Sequence, residues 1–165
     1  MVPKSKIHRE RVLMKIFVTV GSMFPFDRLI KEIDKVAKEG KHEIFAQTGE
    51  STYLPKNCKY KPFLDYSENI SKMKQADVII SHAGVGTVID IMSSKKPFIL
   101  VPRLSKYKEA IDDHQLELCK YLHKEFDATY LTNESEIVPA LKKAKAIKRG
   151  NQNEALLKEI KSLIR

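Results

Sequence analysis

The stretch Ser81–Pro102, SHAGVGTVIDIMSSKKPFILVP, opens on the end of an apolar run, turns through Gly84 and Gly86, and continues as a helical pattern into a second apolar run. The first run, DVIIS (77–81), and the second, PFILVP (97–102), are short and β-branched, with no polar alternation. Strands buried on both faces of a parallel sheet read this way. The residues between them, Val85–Ser93, read as the helix of a crossover connection. A strand, helix, strand unit of this kind sets the fold class as α/β, a Rossmann-like parallel sheet with helices on both faces.

The rest of the chain repeats the alternation. KIFVTV (15–20) predicts a buried strand ending in Gly21-Ser22. Phe26, Leu29, Ile30, Ile33, Val36 and Ala37 then follow helical spacing, which predicts an amphipathic helix with Pro25 in its first turn and Gly40 as its stop. HEIFAQT (42–48) and KYKPFL (59–64) predict two more strands, and SENISKMKQA (67–76) a short helix capped by Ser67. Beyond Pro102 the pattern predicts a helix from about Lys108 to Lys124, a short strand ATYL (128–131), and helices after Asn133 and after Gly150. The domain organisation is a basic N-terminal extension (1–14) that need not be ordered, a Rossmann-like domain (15–149) and a C-terminal amphipathic helix (150–165). Leu156, Leu157, Ile160, Leu163 and Ile164 form one apolar stripe on that last helix. The stripe has two readings: packing on this domain's own sheet, or docking on a membrane-bound partner with Lys158, Lys161 and Arg165 toward anionic headgroups.

A chain of 165 residues has room for one well-buried domain. Cys58 and Cys119 lie far apart without CxxC or Cys/His ligand spacing, which argues against a disulfide framework or a zinc site and suits a reducing cytoplasm. The apolar runs are strand-sized, and the basic start MVPKSKIHRERVL lacks the apolar core of a signal peptide, so the chain is not expected to span a membrane by itself. The net charge of +9 is concentrated at the ends. Lys4, Lys6, Arg9, Arg11 and Lys15 face only Glu10 at the front, and residues 142–165 are again strongly basic, so the middle is close to balance. No basic recognition element with interleaved aromatics is visible, which argues against nucleic acid. The basic ends suit an anionic membrane surface, an acidic partner or simple solvation.

In open parallel sheets, ligands bind beyond the carboxyl ends of the strands. Ser81, His82, Ala83 and Gly84 stand there, and the helix that follows turns its unpaired N–H groups toward the crevice, a natural seat for phosphate. Gly84 and Gly86 let a backbone approach closely, and Thr87 adds a hydroxyl. GVGTVI has Ile89 where the dinucleotide fingerprint needs its third glycine, and no GKT or GKS follows a glycine loop, so NAD-binding and P-loop chemistry are both excluded. The residues alone leave His82 open between a core histidine bonded to a carbonyl and a ligand-binding one.

HAG (82–84), GT (86–87), the acid Asp90, KPFILVPR (96–103) and DDHQLELC (112–119) together resemble the nucleotide-sugar-binding half of family 28 GT-B glycosyltransferases. IFVTVGS, FDRLIKEID and IFAQTGESTYLP at the front agree. More narrowly, the set is similar to the small cytosolic donor-binding subunits of split transferases, those of dolichol-linked GlcNAc transfer and of bacterial capsular and exopolysaccharide synthesis. The resemblance spans about residues 15–141. It implies that Gly21, Ser22 and the helix start Gly84, Val85, Gly86 and Thr87 hold the diphosphate of a UDP-sugar, with His82 against it. It implies further that Phe63 and Leu64 frame the uracil, that Asp90 holds the ribose where the family usually has a longer glutamate, and that His114 and Gln115 meet the sugar. Asp112 and Asp113 have a simpler reading as dipole-complementing charges at a helix start.

No metal and no other cofactor is expected, because a helix N-terminus and backbone amides replace the metal in stabilising the leaving UDP. The implied partner is a membrane-anchored acceptor-binding glycosyltransferase subunit, which would supply the general base, present a polyprenyl-pyrophosphate-linked sugar for inverting transfer, and hold this chain at the cytosolic membrane face. A non-catalytic nucleotide-binding or stabilising subunit is the alternative. A UDP-sugar 2-epimerase uses the same frame but needs both domains in one chain.

Overall fold

The computed structural model describes residues 14–147 and 153–162. Along the chain run β1 (Lys15–Thr19), α1 (Asp27–Lys38), β2 (Glu43–Gln47), β3 (Lys59–Lys61), α2 (Tyr66–Gln75), β4 (Val78–Ser81), α3 (Val85–Ser94) and β5 (Phe98–Leu100). Then follow α4 (His114–Phe126), β6 (Thr129–Tyr130), α5 (Ile137–Leu141) and α6 (Asn153–Ser162), with 3-10 turns at Ser105–Tyr107 and Glu134–Glu136. The strands form one six-stranded sheet in the order β3-β2-β1-β4-β5-β6. Every strand pair is parallel. The fold class expected from the sequence is therefore the one observed. Ile16 pairs with Ile44 on one side and with Val78 on the other, so the strand order reverses between β1 and β4. That reversal opens the crevice where doubly wound sheets take their ligands.

Alternation along β1 divides the core. Ile16, Val18 and Val20 point to one face, where they pack with Leu29, Ile30, Ile33 and Val36 of α1 and with Ile137, Ala140 and Leu141 of α5. Phe17 points to the other, with Met73 of α2, Val88 and Ile91 of α3, and Leu118, Cys119 and Leu122 of α4. With both faces covered, β4 is buried at every position. Asp34 of α1 is buried too, and its carboxylate is fully used, accepting from the Tyr53 hydroxyl at 2.6 Å and from the N–H groups of Lys56 and Asn57 at 2.9 and 2.8 Å. It holds the β2–β3 loop onto the helix.

Several boundaries differ from the sequence expectation, each for a local reason. α1 begins at Asp27, not at Pro25, because the Phe26 N–H is bound by Ser51 Oγ at 3.0 Å and the Asp27 carboxylate accepts from the N–H groups of Thr52 and Tyr53. α2 is capped by Asp65 rather than Ser67: Asp65 accepts from the Glu68 N–H at 2.8 Å, and the Glu68 carboxylate accepts from the Asp65 N–H at 3.1 Å, a reciprocal capping box. β3 stops at Lys61 because Pro62 has no N–H to continue the ladder. α4 starts at His114 rather than near Lys108, which sits in the left-handed region at φ 57° after the 3-10 turn.

The C-terminal helix packs on its own domain where it is described. Ile160 is fully buried in the cluster with Leu118 and Leu122, and the Tyr121 hydroxyl donates to Glu159 at 2.7 Å. Lys158 and Lys161 are exposed. The side chains of Leu156, Leu157, Leu163, Ile164 and Arg165, the chain before Met14 and the boundary at Arg149-Gly150 lie outside the described residues. Among the described residues no helix is long and apolar enough to cross a membrane.

Candidate functional site

The loops leaving β1 and β4 meet around one imidazole. His82 follows β4 directly, is buried, and donates its main-chain N–H to Thr19 O at 3.3 Å. Its ring lies between two glycines. A Cβ on Gly84 would stand 2.3 Å from His82 Nε2, and one on Gly21 would stand 2.7 Å from the same atom, with Gly21 also at φ +71°. The sequence reading gave Gly84 the task of admitting a ligand. In the structure the space it leaves is filled by His82, whereas Gly86 has nothing within 4 Å of its missing side chain. Burial pushes the His82 imidazole down to about 4, and the nearby Arg103 charge acts in the same direction. At neutral pH His82 is therefore an uncharged hydrogen-bonding group.

α3 leaves its first amides open. Its N-cap position is Gly84, which has no capping side chain, and the first intrahelical bond runs from the Val88 N–H to Gly84 O at 2.9 Å. The N–H groups of Val85, Gly86 and Thr87 precede that bond and point out of the helix end, with its partial positive charge.

Beside this helix start lies a cleft of about 360 Å³. It is lined by Ser22, Met23 and Phe24 from the loop after β1, by His82, Gly84 and Val85 from the turn into α3, and by Ile111, Asp112, His114 and Gln115 from around the start of α4. Of the residues singled out in the sequence, the cleft brings together Ser22, His82, Gly84, Val85, His114 and Gln115. Gly21 joins them through its contact with His82. The carbonyl oxygen of Gln115 already accepts from the N–H groups of Ala83 and Arg103, at 3.1 and 3.0 Å. Only its amide N–H groups remain for a ligand. His114 is exposed beside Asp112, with 3.4 Å between Nδ1 and the carboxylate. Asp113 caps backwards, accepting from the Ser105 N–H at 2.8 Å, rather than bonding its own helix.

Phe63, Leu64, Gly86, Thr87 and Asp90 do not line this cleft. Phe63 and Leu64 follow β3 and lead straight into α2, whose first residue, Tyr66, donates its hydroxyl to Asp90 at 3.3 Å. Phe63 and Tyr66 are exposed, and Leu64 packs against the second core cluster. The predicted residues thus form two groups joined by the start of α3: the cleft, and a shelf of Phe63, Leu64 and Asp90, to which Tyr66 adds its hydroxyl.

Three contributors escaped the sequence reading. Gln47, at the end of β2, accepts from Thr19 Oγ1 at 2.7 Å and from the Val20 N–H at 3.1 Å, and it donates to Gly21 O and Pro62 O at 3.0 and 2.7 Å. Tyr66 gave no signal beyond its place after the third strand. Arg103 did give one: a charged residue directly after the buried run PFILVP. It lines the cleft and is itself buried. Among the described residues no three His, Cys, Asp or Glu side chains come together so as to hold a metal ion.

The family model of the glycosyltransferase family 28 C-terminal domain matches residues 15–163. The human UDP-N-acetylglucosamine transferase subunit ALG13 is 33% identical over 128 residues, which is 71% of this chain and 11% of that protein. In Hydrogenovibrio crunogenus, the UDP-N-acetylglucosamine--N-acetylmuramyl-(pentapeptide) pyrophosphoryl-undecaprenol N-acetylglucosamine transferase is 27% identical over 123 residues, 69% of this chain and 33% of that enzyme. This chain thus spans about a tenth of the first relative and a third of the second. An NMR solution structure of ALG13 superposes with a TM-score of 0.62 at 16% identity, covering 92% of this chain and 97% of that one, a likeness of fold.

Proposed function

The chain belongs to glycosyltransferase family 28, whose C-terminal domain it matches over residues 15–163, and from that premise we propose that it is the UDP-sugar-binding subunit of a two-subunit inverting glycosyltransferase. The observation that carries the reading is the open start of α3, three amides without intrahelical partners, at the point where the strand order reverses. A diphosphate lies across Val85, Gly86 and Thr87. Its uridine extends over the shelf, where backbone at Phe63 and Leu64 meets the uracil edge and Asp90 takes the ribose hydroxyls. Asp90 is one methylene shorter than glutamate, and the Tyr66 hydroxyl that it holds is placed to share the task. The sugar enters the cleft, toward His114 and the free amide of Gln115.

Transfer breaks the bond between the anomeric carbon and the diphosphate oxygen, and the charge that develops on UDP falls on the α3 amides. His82, uncharged, contributes a hydrogen bond rather than a cation. The attacking hydroxyl belongs to a lipid-linked sugar, held and deprotonated by a membrane-anchored acceptor-binding subunit that keeps this chain at the cytosolic membrane face. The transferred unit is a hexose or N-acetylhexosamine, and N-acetylglucosamine is the sugar in the names of both relatives above.

Calorimetric titration of UDP, ADP and GDP into the full chain, alone and with a co-expressed acceptor subunit, tests the reading. UDP should bind most tightly. Asp90→Ala should weaken it by about 1.5–3 kcal/mol, the scale of a hydrogen bond to a charged group, and Asp90→Glu should keep much of the affinity. Equal affinity for the three nucleotides, or indifference to both substitutions, would overturn it.

A further inference from the structure

Arg103 is 2% exposed, yet no carboxylate among the described residues lies within ion-pair distance of it. The nearest acid, Glu109, favours the charged form but is occupied elsewhere. Its two oxygens accept from Arg28 at 2.7 and 2.9 Å, and one also accepts from the Leu104 N–H. Burial pulls the Arg103 guanidinium down to about 10, so it keeps its charge at neutral pH. That charge is directed at main chain: one terminal nitrogen donates to Val20 O at 2.5 Å, the other to Pro25 O at 2.8 Å. Its Cζ lies over the Phe26 ring, 4.8 Å from the ring centre.

Val20 and Pro25 bracket the loop of Gly21, Ser22, Met23 and Phe24, three members of which wall the cleft. Within that loop Met23 is 77% exposed. Gln47 holds only its first end, accepting from the Val20 N–H and donating to Gly21 O. From the far side, the Arg103 N–H is held by the same Gln115 oxygen that holds Ala83. One buried residue thus ties together the loop after β1, the turn after β4 and the start of α4. Burying a cation without an anionic partner costs several kcal/mol before compensation, and here the compensation comes from the two main-chain carbonyls that flank the loop. A planar fork fits two carbonyls at once, which a lysine ammonium does not reproduce.

We propose that Arg103 is a positioning residue of the donor site: it holds both ends of the 21–24 loop, so that the loop is set against the β4–α3 turn before nucleotide arrives. This rests on the donor-site reading above. The test uses the full chain as wild type, Arg103→Lys and Arg103→Met, with UDP affinity by calorimetry and backbone amide exchange without nucleotide. Exchange at Val20 and Phe26, the hydrogen-bonded amides at the two ends of the loop, should quicken about tenfold or more in Arg103→Lys while the amides of β1 and β4 stay protected. UDP affinity should fall by about tenfold or more in both variants. Wild-type affinity and loop exchange in Arg103→Lys, with loss only in Arg103→Met, would mean that charge alone matters and would overturn the proposal, as would wild-type behaviour in both. If Arg103→Met does not fold, Arg103→Lys carries the test. Failure of the wild type to bind UDP would sink the donor-site reading, while loop exchange would still decide the role of Arg103.

Discussion

Taking the protein from pH 7.5 to pH 5 should remove about 2 kcal/mol of stability through His82 alone. The imidazole titrates near 6.5 in an unfolded chain and at about 4 in the fold, where burial and the Arg103 charge disfavour its protonated form. Between these values the unfolded chain takes up a proton that the folded one refuses. The contribution is therefore fully present above pH 6.5 and is lost as the pH falls toward 4, reaching roughly 3 kcal/mol at most. Asp27 and Asp34, whose carboxyls are also held low, act in the same sense but below their ordinary value of 3.8. His42 is depressed by burial as well, but it is common to wild type and variant and cancels in the comparison. Urea unfolding of wild type and His82→Gln at both pH values is the assay. The wild type should lose about 2 kcal/mol more than the variant. Equal losses would refute the claim that the fold keeps this ring neutral.

Gly84→Ala places a methyl against the His82 ring and should cost about 1–3 kcal/mol in thermal or urea unfolding, the range of an overpacked core. Gly86→Ala meets open space inside a helix and should stabilise the fold by about 0.5–1 kcal/mol while lowering UDP affinity, a divergence that calorimetry and melting together would detect. Ile160→Ala should destabilise by about 2–5 kcal/mol, since that side chain is fully buried; a variant that melts like the wild type would return α6 to the role of a docking element.

The sheet could be read from the sequence because strands buried on both faces leave no polar alternation. Val78, Ile79, Ile80 and Ser81 are buried without exception, as the short β-branched run VIIS predicts. Element starts were harder to read, since they depend on hydrogen bonds made across the fold. Nothing local to Pro25 foretells that Ser51 takes the next N–H, and the competition between Asp65 and Ser67 for the cap is settled by Glu68 reaching back. For the site, the glycines and His82 could be located as a set, but their division of labour could not. That Gly84 and Gly21 make room for an imidazole, leaving Gly86 as the open position, is a fact about two loops that lie about sixty residues apart in the chain. Gln47 and Arg103 act through backbone carbonyls of distant segments, and no spacing in the sequence encodes such contacts.

The central place of β1 also sets the order in which the molecule can assemble. Ile16 pairs first with Ile44, twenty-eight residues on, and then with Val78, sixty-two residues on. A chain emerging from the ribosome can therefore lay down β1, α1, β2 and β3 while one edge of β1 is still unpaired and Phe17 has no α3 or α4 to cover it. At usual rates of synthesis that interval lasts about 3–12 s. During it, the nascent half-sheet presents an apolar, β-branched edge to any other extended segment nearby, the circumstance in which chaperone capture and misassociation compete. The same non-local pairing that places the Gly21 loop beside the His82 turn thus keeps the second edge of β1 open until β4 has been made.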